Sequence, residues 1–96
     1  MIESFANRLA EDLFDDRPSK AVLRFPPDLI RTARRKLLYL HDAAEIGDLR
    51  EPPGNRLEAL KGEWKGFHSI RVNDQWRVVF RWQTGNAHEV QVIDYH

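Results

Sequence analysis

The chain has no cysteine, which excludes a disulfide scaffold and a thiolate zinc site and fits a reducing compartment. It has no net charge either. Fifteen basic side chains balance fifteen acidic ones, which argues against gripping nucleic acid by bulk charge. No uninterrupted apolar run opens the chain: MIESFANRLAEDLF carries acids within its first turns, so neither a signal peptide nor a membrane span is expected and a cytoplasmic location is. No HExxH or other short ligand spacing links the histidines at 41, 68, 88 and 96, so no metal and no cofactor is expected. A serine elbow, a glycine-rich phosphate loop, a carboxylate pair, internal repeats and low-complexity tracts are likewise missing.

What remains is 96 residues, 42% hydrophobic, with three Trp, two Tyr and five Phe, enough for one compact core and a single domain spanning residues 1–96. The charges are unevenly spread. Glu3, Glu11, Asp12, Asp15 and Asp16 stand against Arg8 in residues 1–16, whereas residues 17–36 hold seven basic side chains against Asp28. A basic stretch of this kind is either a solvated helix face or a surface for a polyanion or partner.

Periodicity supplies the elements. Ile2 and Phe5 alternate with polar neighbours as a short strand, and Leu9, Leu13 and Phe14 recur at helical spacing over residues 7–14. Arg17-Pro18-Ser19 and Pro26-Pro27 read as a connector. Pro27 and Asp28 suit a helix start, after which Ile30, Ala33, Leu37, Leu40 and Ala44 share one face of a helix ending near residues 45–47. Residues 48–54 form a loop, and from there the period becomes alternating. Strands are predicted at 56–60, 67–72, 75–82 and 88–95, with turns at Gly62 to Gly66, Asn73-Asp74 and Thr84-Gly85-Asn86. The order β-α-α-β-β-β-β gives an α+β fold, two N-terminal helices packed on a mainly antiparallel sheet.

Strand parity points to a site. Trp76, Val78, Phe80 and Trp82 fall on one face, and Arg77, Val79 and Arg81 on the other. Arg77 either grips a phosphate through parallel hydrogen bonds or makes a cross-strand salt bridge, to Glu89 for instance. Lys61 and Lys65 flank the Gly62 to Gly66 turn, where backbone can approach a ligand, although turn lysines are often only solvated. His41, late in the long helix, is expected in capping or solvation, and His68 either near the sheet site or at an edge. The chain finishes on Tyr95-His96, a phenol and an imidazole on a strand that must dock to be useful. Cleavage of a phosphodiester by RNA's own 2'-hydroxyl needs a base, an acid and positive charge at the phosphorane, and this set supplies all three.

The stretches DAAEIGDLREPP and GNRLEALKGEWKGFHSIRVNDQWRVVF and the terminal VIDYH together resemble the HigB toxins, the plasmid-maintenance killer branch of the RelE/ParE toxin superfamily. The likeness rests on LKG, on SIR leading to QWR, and on DYH, in that order. It implies a RelE-like microbial ribonuclease fold in a bacterial cytoplasm. It also implies ribosome-dependent, metal-independent cleavage of messenger RNA that inhibits translation, and a HigA-like helix-turn-helix antitoxin that links the toxin indirectly to operator DNA. The family's essential lysine falls on Lys61, its central arginine on Arg77 and its C-terminal pair on Tyr95 and His96. Many members carry a histidine where this chain has Glu58, so the general base is open between a carboxylate of reference pKa ~4.3 and an imidazole of ~6.5. Arg31, Arg34, Arg35 and Lys36 on the long helix, with Lys65 and Arg71, are expected to meet RNA or the ribosome. Two other functions share the fold: a ParE-like poison of DNA gyrase, and a weakly active toxin that serves mainly as a co-repressor with its antitoxin.

Overall fold

The computed structural model describes residues 1–95; the assignment made for His96 lies outside the described residues. Helix α1 (Arg8–Phe14) starts where Asn7 takes an extended backbone and its side-chain oxygen accepts from Ala10 N–H at 3.0 Å, the usual N-cap. The same amide donates to the carbonyl of Val92 at 2.9 Å, so one side chain caps a helix and ties it to a strand 85 residues away. The predicted connector contains a further helix, α2 (Lys20–Arg24), capped by Ser19. With five residues between prolines, it is too short to show a period. Pro27 opens a 3-10 turn (Pro27–Leu29) that leads into α3 (Ile30–Asp42).

Helix α3 stops earlier than its apolar spacing predicted. Ala43 turns extended and is buried, and Ala44 is exposed rather than on the core face. Asp48 accounts for the change. Its carboxylate accepts from Ala44 and Glu45 N–H at 3.0 and 3.1 Å and starts a 3-10 turn, Ile46–Arg50, that drives Leu49 into the core. A second such turn, Pro53–Asn55, leads to the sheet. No helix among the described residues is long and apolar enough to cross a membrane.

The strands are β1 (Glu58–Ala59), β2 (His68–Arg71), β3 (Trp76–Gln83) and β4 (Asn86–Asp94), in sheet order β1-β2-β3-β4 and antiparallel throughout. At the β2–β3 turn, Asn73 Oδ1 accepts from Gln75 and Trp76 N–H at 3.0 and 2.7 Å. Thr84 and Gly85 both take positive φ, 52° and 78°, the mirror-image turn that matches strand twist. Residues 1–6 run parallel to β4 through the Ile2–Ala87 and Phe5–Val90 bridges. His41 secures that edge, because its Nδ1 accepts from Ile2 N–H at 3.1 Å and its ring tilts onto Phe14. It is thus neither a helix cap nor simply solvated.

Parity along β3 divides the molecule. Val78 and Phe80 enter the main core with Ala10, Leu13, Leu37 and Leu40, whereas Val79 joins Leu60 and Phe67 in a separate cluster on the opposite face. One expected surface cation proves internal. Lys36 is 6% exposed and its Nζ donates to Asn55 Oδ1 at 2.5 Å, while Asn55 Nδ2 reaches the carbonyls of Leu49 and Glu51. This latch fastens the loop before β1 to α3. Burial, then the neighbouring charges of Arg35 and Arg71, hold the Lys36 amine below the ordinary lysine value of 10.5.

Replacing Asn7 by Ala removes the cap oxygen and the Val92 bonds and should cost about 2 kcal/mol in urea unfolding; Asn7→Asp, which keeps the cap, should cost less. For Lys36, the unfolded chain holds the proton at pH values where the folded chain has released it, so its contribution to stability rises as pH climbs towards 10.5. Urea titrations of wild type and Lys36→Met at neutral and alkaline pH should show the wild type gaining on the variant. A constant difference would contradict the lowered pKa.

Candidate active site

The face away from the helices holds Arg77, Glu58 and Tyr95 of the residues singled out above. Arg77 lies opposite Arg71 on β2 and Ile93 on β4, and Val79 lies opposite Ser69 and Gln91. Ser69 in turn pairs with Glu58, so Glu58 shares this face. Two strand spacings across and two residues along separate the Glu58 and Arg77 backbones by about 12 Å, a gap that two long side chains and a phosphate can fill.

Arg77 does not pair with Glu89. Glu89 lies four residues along β4 from Ile93, the partner of Arg77, and its positive φ of 52° accompanies a register shift between Val79 and Arg81. That bulge presents it to Arg81 at 2.7 Å. Arg77 Nη1 instead donates to the carbonyl of Asn73 at 2.6 Å. The guanidinium is therefore held from the hairpin, with no carboxylate partner among the described residues, and its remaining N–H groups are open to an anion. Arg71, directly across, is ion-paired with Asp74, which eases the repulsion of two like charges in register.

Lys61 is exposed and precedes the 3-10 turn Gly62–Trp64, between left-handed Gly62 and Gly66 (φ 65° and 95°). A Cβ on Gly66 would stand 3.0 Å from Arg81 Nη1, whose guanidinium lies 4.2 Å from the Phe67 ring centroid. Leu60 N–H donates to Phe67 O at 2.9 Å, and Trp64 meets Phe67 edge-on at 5.2 Å. The loop that carries exposed Lys61 and Lys65 is thus anchored through Leu60, Trp64 and Phe67 to the cluster around Val79. Tyr95 packs on the same cluster, and its N–H donates to Gln75 O at 3.1 Å, so the last described residue is docked.

Sequence parity found Arg77 but not the aromatic floor of Trp64 and Phe67, nor Ser69, whose buried hydroxyl has no hydrogen-bond partner among the described residues. The nearest signal was the pair of aromatics inside GEWKGF. His68 takes the opposite face, stacked on Phe80 with centroids 6.1 Å apart, and burial lowers its pKa; it is outside the cluster around Arg77. Among the expected RNA contacts, Lys36 is removed by burial. Arg34 is occupied, donating to Leu13 O at 2.9 Å and lying 3.8 Å from Asp16. Arg31, Arg35 and Lys65 are exposed, the first two on α3, across the sheet from Arg77.

The sequence profile of the family described as "RelE-like toxin of type II toxin-antitoxin system HigB" matches residues 3–96. Toxin HigB-1 of Vibrio cholerae serotype O1 is 40% identical over 88 residues, 91% of this chain and 90% of its own length. Endoribonuclease HigB of Proteus vulgaris is 31% identical over 96 residues, all of both chains. Among solved structures, a YoeB-YefM complex from Staphylococcus aureus aligns with a TM-score of 0.62 at 18% identity, covering 100% of this chain and 98% of that one. A mutant of YafQ from E. coli aligns at 0.58 and 16%, covering 98% and 93%. Fold, profile and full-length relatives agree: the chain belongs to the HigB family of RelE-like type II toxins.

Proposed function

We propose that this toxin is a ribosome-dependent messenger-RNA endoribonuclease, held silent by a HigA-like helix-turn-helix antitoxin through which it also reaches operator DNA. The observation that carries the reading is Arg77, fixed by the Asn73 carbonyl and free of any carboxylate among the described residues, on a face that also holds Glu58 and Tyr95. The full-length relative named an endoribonuclease supports it.

In this reading Arg77 binds two oxygens of the scissile phosphate, and Lys61 meets the charge that grows on the phosphorane. Glu58 accepts the proton of the 2'-hydroxyl as its oxygen bonds to phosphorus. The bond from phosphorus to the 5'-oxygen breaks, and His96 supplies that oxygen with a proton. The products are a 2',3'-cyclic phosphate and a 5'-hydroxyl. Tyr95 positions the nucleotide from its seat on the Val79 and Phe67 cluster.

Charge explains the need for the ribosome. With a net charge of zero, the chain attracts free RNA weakly, so alignment must come from a surface that already holds the message. Exposed Arg31 and Arg35 on the helix layer and Lys65 on the sheet face suit a protein wedged between RNA on two sides.

Arg77→Ala should slow messenger cleavage on ribosomes by about 10²–10³-fold with its melting temperature intact, and Arg77→Lys should recover only part of the rate. Wild-type cleavage by Arg77→Ala would refute the assignment. The base and acid separate in pH–rate profiles: Glu58→Gln should lose the acidic limb and His96→Ala the alkaline one. An unchanged profile for Glu58→Gln would remove Glu58 as the base.

A further inference from the structure

Helix α2, the turn before it and the 3-10 turn after it enclose a groove of about 380 Å³, lined by Pro18, Val22, Leu23, Phe25, Pro27 and Ile30. Its floor belongs to the core, since Val22 and Phe25 are buried. With Val22 anchored inside the five-residue helix and Phe25 at its C-cap, Leu23 turns outward, where it is 76% exposed, more than any other large apolar side chain among the described residues. Helical spacing puts Lys20 beside both Leu23 and Arg24, at i,i+3 and i,i+4, and Arg24 follows Leu23 in the chain. Neither cation has an ion-pair partner among the described residues. Of the acids nearby, Asp12 and Asp15 face Arg17, Asp16, which also lines the groove, is 3.8 Å from Arg34, and exposed Asp28 makes no ion pair among the described residues.

We propose that this groove seats an amphipathic, acidic helix of the antitoxin, with an apolar side chain over Leu23 and carboxylates reaching Lys20 and Arg24. An exposed leucine between two unpaired cations fits that chemistry. RNA would satisfy the cations and leave Leu23 in water. The groove holds only one or two side chains, so Leu23 is an anchor within a larger contact rather than the whole of it. The groove lies on the helix layer, across the sheet from the Arg77 face. The proposal rests on the chain being the toxin half of a pair and on nothing in the cleavage chemistry.

Its test is titration of purified cognate antitoxin into toxin variants, followed by calorimetry. Leu23→Asp should weaken binding at least about tenfold, and Lys20→Glu/Arg24→Glu should weaken it similarly while flattening its salt dependence. Leu23→Ala, which adds no charge, should fall between wild type and Leu23→Asp. Melting temperature and ribosome-dependent cleavage by the free toxin should stay at wild type in all three. Wild-type antitoxin affinity in Leu23→Asp overturns the proposal. So does loss of ribosome binding in the charge-reversal variant with antitoxin affinity intact, which would make the patch an RNA contact. A chain that cleaves nothing still reports antitoxin affinity, so failure here and failure of the ribonuclease reading are separable.

Discussion

Alternation along β3 is the constraint on which the rest depends. Val78 and Phe80 are fully buried against the helices while Arg77 and Val79 lie on the other face, so one strand supplies the core and the candidate site together. A slip of a single residue would exchange them, placing Arg77 in the core and Phe80 in water. The flanking strands keep the phase. On β4 the extra residue at Glu89 is taken up in a bulge, which lets Ala87 before it and Val90 and Val92 after it all reach the same core.

Electrostatics on the sheet face follow from that alternation. Arg71 and Arg77 meet in register, an arrangement that repels unless something negative intervenes. The hairpin tip supplies Asp74 to one and the Asn73 carbonyl to the other, a full charge and a partial one. Arg77 is thus left under-compensated, the condition in which binding an anion is favourable. The basic block of residues 17–36 is similarly divided by use. Lys36 fastens a loop inside, Arg17 and Arg34 bind the acids at the end of α1, and Lys20, Arg24, Arg31 and Arg35 are exposed with no ion pair among the described residues.

Much of this was legible because it is local. The β3 parity, the Asn73-Asp74 turn and the helical start at Pro27, a 3-10 turn that runs into α3, each need only neighbouring residues. The rest depends on partners distant in sequence. Nothing near Lys36 announces Asn55, and nothing near His41 announces the Ile2 N–H. The pairing of Glu89 with Arg81 instead of Arg77 required knowing where β4 bulges. Helix α2 escaped because five residues carry less than two turns, and the C-terminus of α3 because Asp48, beyond the periodic stretch, sets it.

The bonds between Asn7 and Val92 set an order on the protein's birth. Residues 1–6 and the cap of α1 find their partner strand only when the chain through position 92 is available. A nascent chain with β4 still inside the ribosome has an unpaired edge on β3, no companion for its first residues and no tether for Asn7. Completion of the N-terminal edge is therefore coupled by topology to the emergence of β4, the last strand of the sheet to be synthesised.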